Sequence, residues 1–134
     1  MFIHSPFSVI ATILLTLLTS PAIAQNVTPY GDDIDNLYAI ASRAQDIGDF
    51  DTAIINYRRA QNLVQNLANP TLRTCGIASA EARIQGSQAA KDYLTGQVLT
   101  PQALITADQI FEEAFRSYWQ EFGAQHPELI NRCP

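Results

Sequence analysis

Basic residues are few and late in this chain. No Lys or Arg precedes Arg43, and the eight in the whole sequence face thirteen Asp and Glu, for a net charge of −5. A surface of that sign cannot displace the counterions of nucleic acid or of anionic lipid, so neither is an expected partner. Histidine is scarcer: His4 lies at the start and His126 sits beside Pro127 near the end. A histidine-based hydrolase has too few parts here, and so does a four-ligand zinc site drawn from His126 and two cysteines. No phosphate-binding glycine loop, dinucleotide fingerprint or Gly-x-Ser-x-Gly elbow occurs. The neighbouring Glu112 and Glu113 would point about 100° apart on a helix, as residues of a solvated face do. The sequence predicts no enzyme, no catalytic residues, no metal and no cofactor. Alternation of apolar and polar residues is also missing, so no sheet is expected.

What is present first is an export signature. Residues 1–24 pass from a short polar start through an apolar stretch at residues 9–18 to small residues, with Ala22 and Ala24 where a signal peptidase admits only small side chains. Cleavage is expected before Gln25, leaving 134 − 24 = 110 residues, enough for one domain. No cysteine follows the apolar core, so lipoprotein-type acylation is not expected. A basic residue near the start is missing, and His4 and the α-amino group take its role. An uncleaved anchor is the alternative, against which stands a ten-residue core, where a bilayer crossing takes roughly 20 residues. The expected location is extracytoplasmic (periplasmic, secreted or lumenal), with no stable membrane insertion after cleavage.

Cys75 and Cys133 are the two cysteines. In an exported chain an even count reads as a disulfide, and their separation is unlike the close spacing of a redox pair. Free or intermolecular thiols are the alternative.

Residues 25–33 carry Pro29 and Gly31 without a sustained period and are expected to form a flexible leader to an all-helical domain at residues 34–134. Asp32, Asp33 and Asp35 stand where a first helix begins, complementing its dipole, and are expected to cap it; the alternative, a calcium site, lacks the alternation and terminal Glu of an EF-hand loop. Ile34, Leu37, Tyr38, Ala41 and Ala44 follow at helical spacing, Gly48-Asp49 breaks the helix, and Phe50, Ala53, Ile54, Tyr57, Ala60, Val64 and Leu67 form a second stripe. So tight a turn predicts an antiparallel α-hairpin. Asn69-Pro70 stops the second helix, and a third runs from about Thr71 to Leu94, with Gly86 marking a bend or a break. Thr100-Pro101 caps a fourth helix that carries Leu104, Ala107, Phe111, Ala114, Phe115, Tyr118 and Phe122 on one face and ends near Gly123. His126-Pro127 opens a C-terminal tail. The fold class predicted is all-α, four helices in antiparallel α-hairpins.

Gly48, Phe50, Ala53, Tyr57 and Ala60 reproduce the turn glycine, the aromatic and the small-aromatic-small spacing of a known helical unit. With Leu37, Ile40, Ala41 and Ala44 in the first helix, residues 34–67 resemble a tetratricopeptide repeat (TPR), a hairpin unit of about 34 residues. The pattern departs at Leu37, where the repeat has a larger residue, at Ala44, where it has an aromatic, and at its end, where no proline follows. Cys75, Ala78, Ser79, Ala82 and Gly86 echo the first helix with a shift of 38, while Ala107, Phe111 and Ala114 echo the second with a shift of 54. The difference of 16 leaves two readings, a degenerate second repeat with an insertion or an unrelated capping hairpin. Stacked repeats normally need about three units. With two at most, stability must come from the disulfide, the long fourth helix or association with another chain.

The resemblance implies a protein-binding function. Five of the ten aromatics beyond residue 24 fall within residues 111–122. Most belong to a core, but Trp119 lies off the centre of its stripe, so Trp119 with Phe115 and Phe122 forms a candidate partner anchor. Tyr38 is a second anchor. Arg58 and Arg59 follow Tyr57 and are candidates to hold a partner's carboxylate, as TPR-like grooves do, or else serve as solvated surface. The expected function is a small exported, non-catalytic interaction module with a protein partner or a second copy of itself. The other expectation is a structural accessory subunit of an extracytoplasmic or membrane-associated complex.

Overall fold

The computed structural model describes residues 29–134; the export segment and the cleavage point before Gln25 lie outside the described residues. Within them the elements are four α-helices and no strand: α1 (Asp32–Asp46), α2 (Phe50–Val64), α3 (Pro70–Leu94) and α4 (Pro101–Gln125). Each packs on the next in chain order.

Local chemistry sets the helix ends. The three aspartates lie in the first turn of α1, but none caps it: the N-cap is Gly31, with no side-chain cap. Their contribution is charge against the dipole. At the other end Gly48 takes φ +80°, Gly48 N donates to Gln45 O at 3.0 Å and Asp49 N to Ala44 O at 2.9 Å. This paired closure needs a left-handed residue, which only glycine supplies without strain. Asp49 then caps α2, accepting from Thr52 N at 3.1 Å and Thr52 Oγ1 at 2.7 Å. Those bonds to the ionised carboxylate hold its pKa below the usual value.

Several boundaries differ from the sequence reading: α1 already begins at Asp32, inside the stretch 25–33 expected as a flexible leader, because the acidic first turn is part of the helix. The second helix ends at Val64, and Asn69-Pro70 starts α3 instead of stopping α2: Asn69 Oδ1 accepts from Leu72 N at 3.1 Å and Pro70 takes the first helical position. Leu67 therefore lies in the connection, where Arg73 Nη1 donates to its carbonyl at 2.8 Å. The dipeptide disfavours helix before proline and is equally suited to begin one, so it marks a boundary without giving its direction. α3 is also unbroken through Gly86. That glycine is buried where a Cβ would stand 2.8 Å from Phe111 Cδ2 and 3.0 Å from Phe111 O, so it marks where α3 and α4 approach. Thr100 caps α4 by accepting from Ala103 N at 3.1 Å, and α4 runs past Gly123 to Gln125.

Alanine dominates the helix contacts. Ala41, Ala53, Ala60, Ala80, Ala82, Ala90 and Ala107 are fully enclosed. Ala41, Ala44, Ala53, Ile54 and Tyr57 join Ile84 in one cluster; Ile34, Ala60 and Val64 form another; Phe50 meets Ala90, Leu94, Ala103, Ala107 and Phe111 in a third. Small side chains let the backbones come close and leave the aromatics to fill what remains. The largest side chains shut off entirely are only Val64, Cys75 and Ser87. So lean a core gains from a covalent staple.

The staple is present. Cys75, near the start of α3, is bonded to Cys133 in the tail, with Cα atoms 5.3 Å apart, and no free cysteine is left. Such a bond persists in an oxidising compartment. The tail turns back through Ile130 N to His126 O and Cys133 N to Leu129 O, and Ile130 packs over Gly123. No helix among the described residues is long and apolar enough to cross a membrane.

Candidate functional site

The structure brings some of the sequence-predicted site residues together and separates others. On α4, Trp119 stands edge-on to three neighbours: Phe115 at 6.3 Å, Tyr118 at 6.3 Å and Phe122 at 5.3 Å between ring centroids. Trp119 and Phe115 are half-buried, whereas Phe122 is only 7% exposed and lies over His126 at 4.7 Å. Phe122 is thus a support of the row and offers a partner little surface. Arg58 and Arg59 are exposed on α2, and no ion pair joins either to a described residue.

Tyr38 is linked to the row by a residue that the sequence reading passed over. The Arg83 guanidinium of α3 lies 4.9 Å from the centre of the Tyr38 ring on α1 and 5.3 Å from that of Phe115 on α4. Cation–π attraction of this kind joins three helices. Arg83 Nη1 donates to Ser79 O at 3.0 Å and makes a short bond to Ser79 Oγ, and no carboxylate pairs with it among the described residues. Beneath it Tyr38 tilts against Tyr57 at 5.7 Å, and Tyr57 donates to Gln45 Oε1 at 3.2 Å. Burial pushes the Tyr57 pKa up to about 12 against the opposing pull of the Arg83 charge. Burial raises Tyr38 as well; its hydroxyl is enclosed without a well-formed hydrogen bond, although Ser79 lies on that side. This cluster is occupied by its own members and reads as a tie between helices.

Free apolar surface lies elsewhere, at the end of the molecule where the α1–α2 turn meets the α3–α4 loop. Ile47 (69% exposed), Val98 (80%), Leu99 (59%) and Ile105 (52%) are the most exposed large aliphatics among the described residues. They lie on segments that meet at this end. A Cβ placed on Gly48, next to Ile47, would fall 2.6 Å from Leu104 Cδ2, 3.6 Å from Leu94 Cδ1 and 3.7 Å from Leu99 Cδ2. Ile105 and Leu104 line an open cleft of about 400 Å³ with Gln45, Asp46, Asp108 and Gln109. A second cleft, of about 320 Å³, runs along Asp49, Asp51, Lys91, Leu94 and Leu99. Lys91 and Asp51 pair across it at 2.6 Å. Cys75 and Leu94 lie 19 residues apart on α3, about 28 Å along the helix, so the staple and the patch occupy opposite ends.

The sequence reading missed this patch, yet one signal for it was there. Val98-Leu99 falls between the helix stop at Thr95-Gly96 and the N-cap at Thr100, in a stretch with no periodicity. Two adjacent large aliphatics in a loop have no helix face through which to reach a core.

Among the described residues no three His, Cys, Asp or Glu side chains are grouped so as to hold a metal ion. Comparison of the chain with family models, with characterised proteins and with solved structures finds no match, so its own geometry carries the functional reading.

Proposed function

We propose that the chain is a small exported interaction module, non-catalytic and TPR-like, that holds another extracytoplasmic protein. The observation that carries this is the set of exposed aliphatic side chains, Ile47, Val98, Leu99 and Ile105, on segments that meet at the end away from the disulfide. Large aliphatic side chains exposed together at one end cost solubility and are characteristic of surfaces that are covered in use. The TPR-like part of the reading draws support from Ala41 and Ala53, both fully enclosed, from Tyr57 filling the space beside them, and from the left-handed Gly48 between the two helices. Export draws support from the disulfide together with the apolar stretch and small-residue close of residues 1–24.

The test is cross-linking and affinity capture of the tagged protein in its native extracytoplasmic fraction, with identification of the mature N-terminus. Wild type is expected to hold a specific partner that the Val98→Asp variant does not, with both variants melting at the same temperature. Recovery of wild type only as a free monomer refutes the proposal. The accessory-subunit reading is favoured by the alanine-rich core with few large enclosed side chains; a cooperative melt of the isolated chain counts against it.

A further inference from the structure

The exposed end has a charge pattern as well as an apolar one, and the pattern selects its occupant. Asp46 and Asp108 line the same cleft as Ile105, and neither has an ion-pair or hydrogen-bond partner among the described residues. Asp49 and Asp51 line the second cleft; Asp49 is engaged by Thr52 and Asp51 by Lys91. The cations near this end are Lys91, held in that pair, Arg43, in the last turn of α1, and Arg116, which lines a neighbouring cleft with Asp108, Glu112 and Glu113. Carboxylates therefore outnumber cations around the aliphatic ridge, on a chain already at −5.

We infer that this end docks a cationic amphipathic segment of a partner protein, one whose apolar side chains cover Ile47, Val98, Leu99 and Ile105 while flanking Lys or Arg residues meet Asp46 and Asp108. The inference deepens the interaction reading and rests on it. Three occupants compete for such a surface, and charge separates them. A second copy related by a twofold axis brings the same acid-rimmed patch against itself, setting like charges together. An anionic bilayer meets the same repulsion. A Lys- or Arg-flanked apolar segment gains both terms: aliphatic burial supplies the affinity, and the two unpaired aspartates supply orientation and discrimination.

Two synthetic helical peptides test this, with the same apolar face flanked in one by Lys and in the other by Glu. Their binding to the purified protein is read by fluorescence anisotropy at low and moderate salt. The Lys-flanked peptide is expected to bind at least about tenfold more tightly than the Glu-flanked one. The double variant Asp46→Asn, Asp108→Asn is expected to close most of that gap and flatten the salt dependence. Val98→Asp is expected to weaken binding of the Lys-flanked peptide by about tenfold or more at an unchanged melting temperature. Equal binding of both peptides overturns the inference. So does binding that Val98→Asp leaves intact, because the attraction is then long-range charge alone. A dimer in sedimentation that Val98→Asp dissociates also overturns it, assigning the surface to a second copy. If a native partner is captured but survives Val98→Asp and is not displaced by the Lys-flanked peptide, the docking inference fails while the interaction reading stands. If no partner is captured at all, the interaction reading fails with it.

Discussion

Replacing Gly86 by Ala sets two known effects against each other, and the structure decides the sign. In a helix interior, Gly→Ala by itself stabilises by about 1 kcal/mol, through backbone entropy and propensity. At residue 86 the added Cβ would stand 2.8 Å and 2.9 Å from two ring carbons of Phe111 and 3.0 Å from the Phe111 carbonyl oxygen. Carbon atoms prefer about 3.5–4.0 Å, so the ring must withdraw by most of an ångström. Phe111 is buried in the cluster of Phe50, Ala90, Leu94, Ala103 and Ala107, which leaves it little room. The carbonyl belongs to the α4 backbone and recedes only if the two helices part. Overpacking of this kind costs about 1–3 kcal/mol, which outweighs the propensity gain and leaves a net loss of about 1 kcal/mol. Urea unfolding followed by far-ultraviolet circular dichroism reads the difference, and Ala89→Gly in the same helix calibrates the propensity term. A Gly86→Ala protein with an unchanged or raised midpoint refutes the close α3–α4 approach.

Other consequences follow from particular groups. Replacing Cys75 and Cys133 together by Ser reopens a loop with a sequence separation of 58, which on the chain-entropy estimate costs about 4 kcal/mol, so the urea midpoint should fall steeply; an unchanged midpoint means the bond contributes nothing to stability. Ser87 is fully enclosed with no partner for its hydroxyl. Ser87→Ala should therefore stabilise by about 1 kcal/mol, and a lower melting temperature would contradict that. With its pKa raised to about 12 by burial, Tyr57 keeps its proton in the folded state while an unfolded tyrosine loses it from about pH 10. The unfolded state then binds fewer protons, so stability falls between pH 10 and 12, by on the order of 2 kcal/mol. Titration of tyrosinate absorbance alongside circular dichroism checks this, and an equal alkaline loss in Tyr57→Phe would sink it.

Local features were legible where the responsible groups are neighbours in the chain. Gly48-Asp49 was legible as the break that the turn realises, and Thr100-Pro101 as the start of α4, made through Ala103 N; the cap that Asp49 forms with Thr52 was not read. Asn69-Pro70 was legible only as a boundary, because the same dipeptide suits an end and a beginning. Gly86 was read as a weakness because α3 alone contains no Phe111. Among the candidate site residues, the row of Phe115, Trp119 and Phe122 could be placed by helical spacing. That Phe122 is buried while Val98 is exposed depends on what packs beside each. Arg83 gave no signal, since Tyr38 lies 45 positions before it and Phe115 lies 32 after it.

By itself the sequence determined the helical class, the division into four segments, the break at Gly48-Asp49, the cap of α4 and the availability of one cysteine pair, because periodicity, capping and count act over a turn or two of chain. Only the tertiary structure decided that Cys75 and Cys133 meet, that Gly86 lets two helices close on each other, and that Arg83 lies between rings from α1 and α4. It also decided that Ile47, Val98, Leu99 and Ile105 share one uncovered end. The physical reason is the same in each case: burial, contact and exposure are properties of pairs of segments, and chain spacing carries no record of which segments the folded backbone brings together.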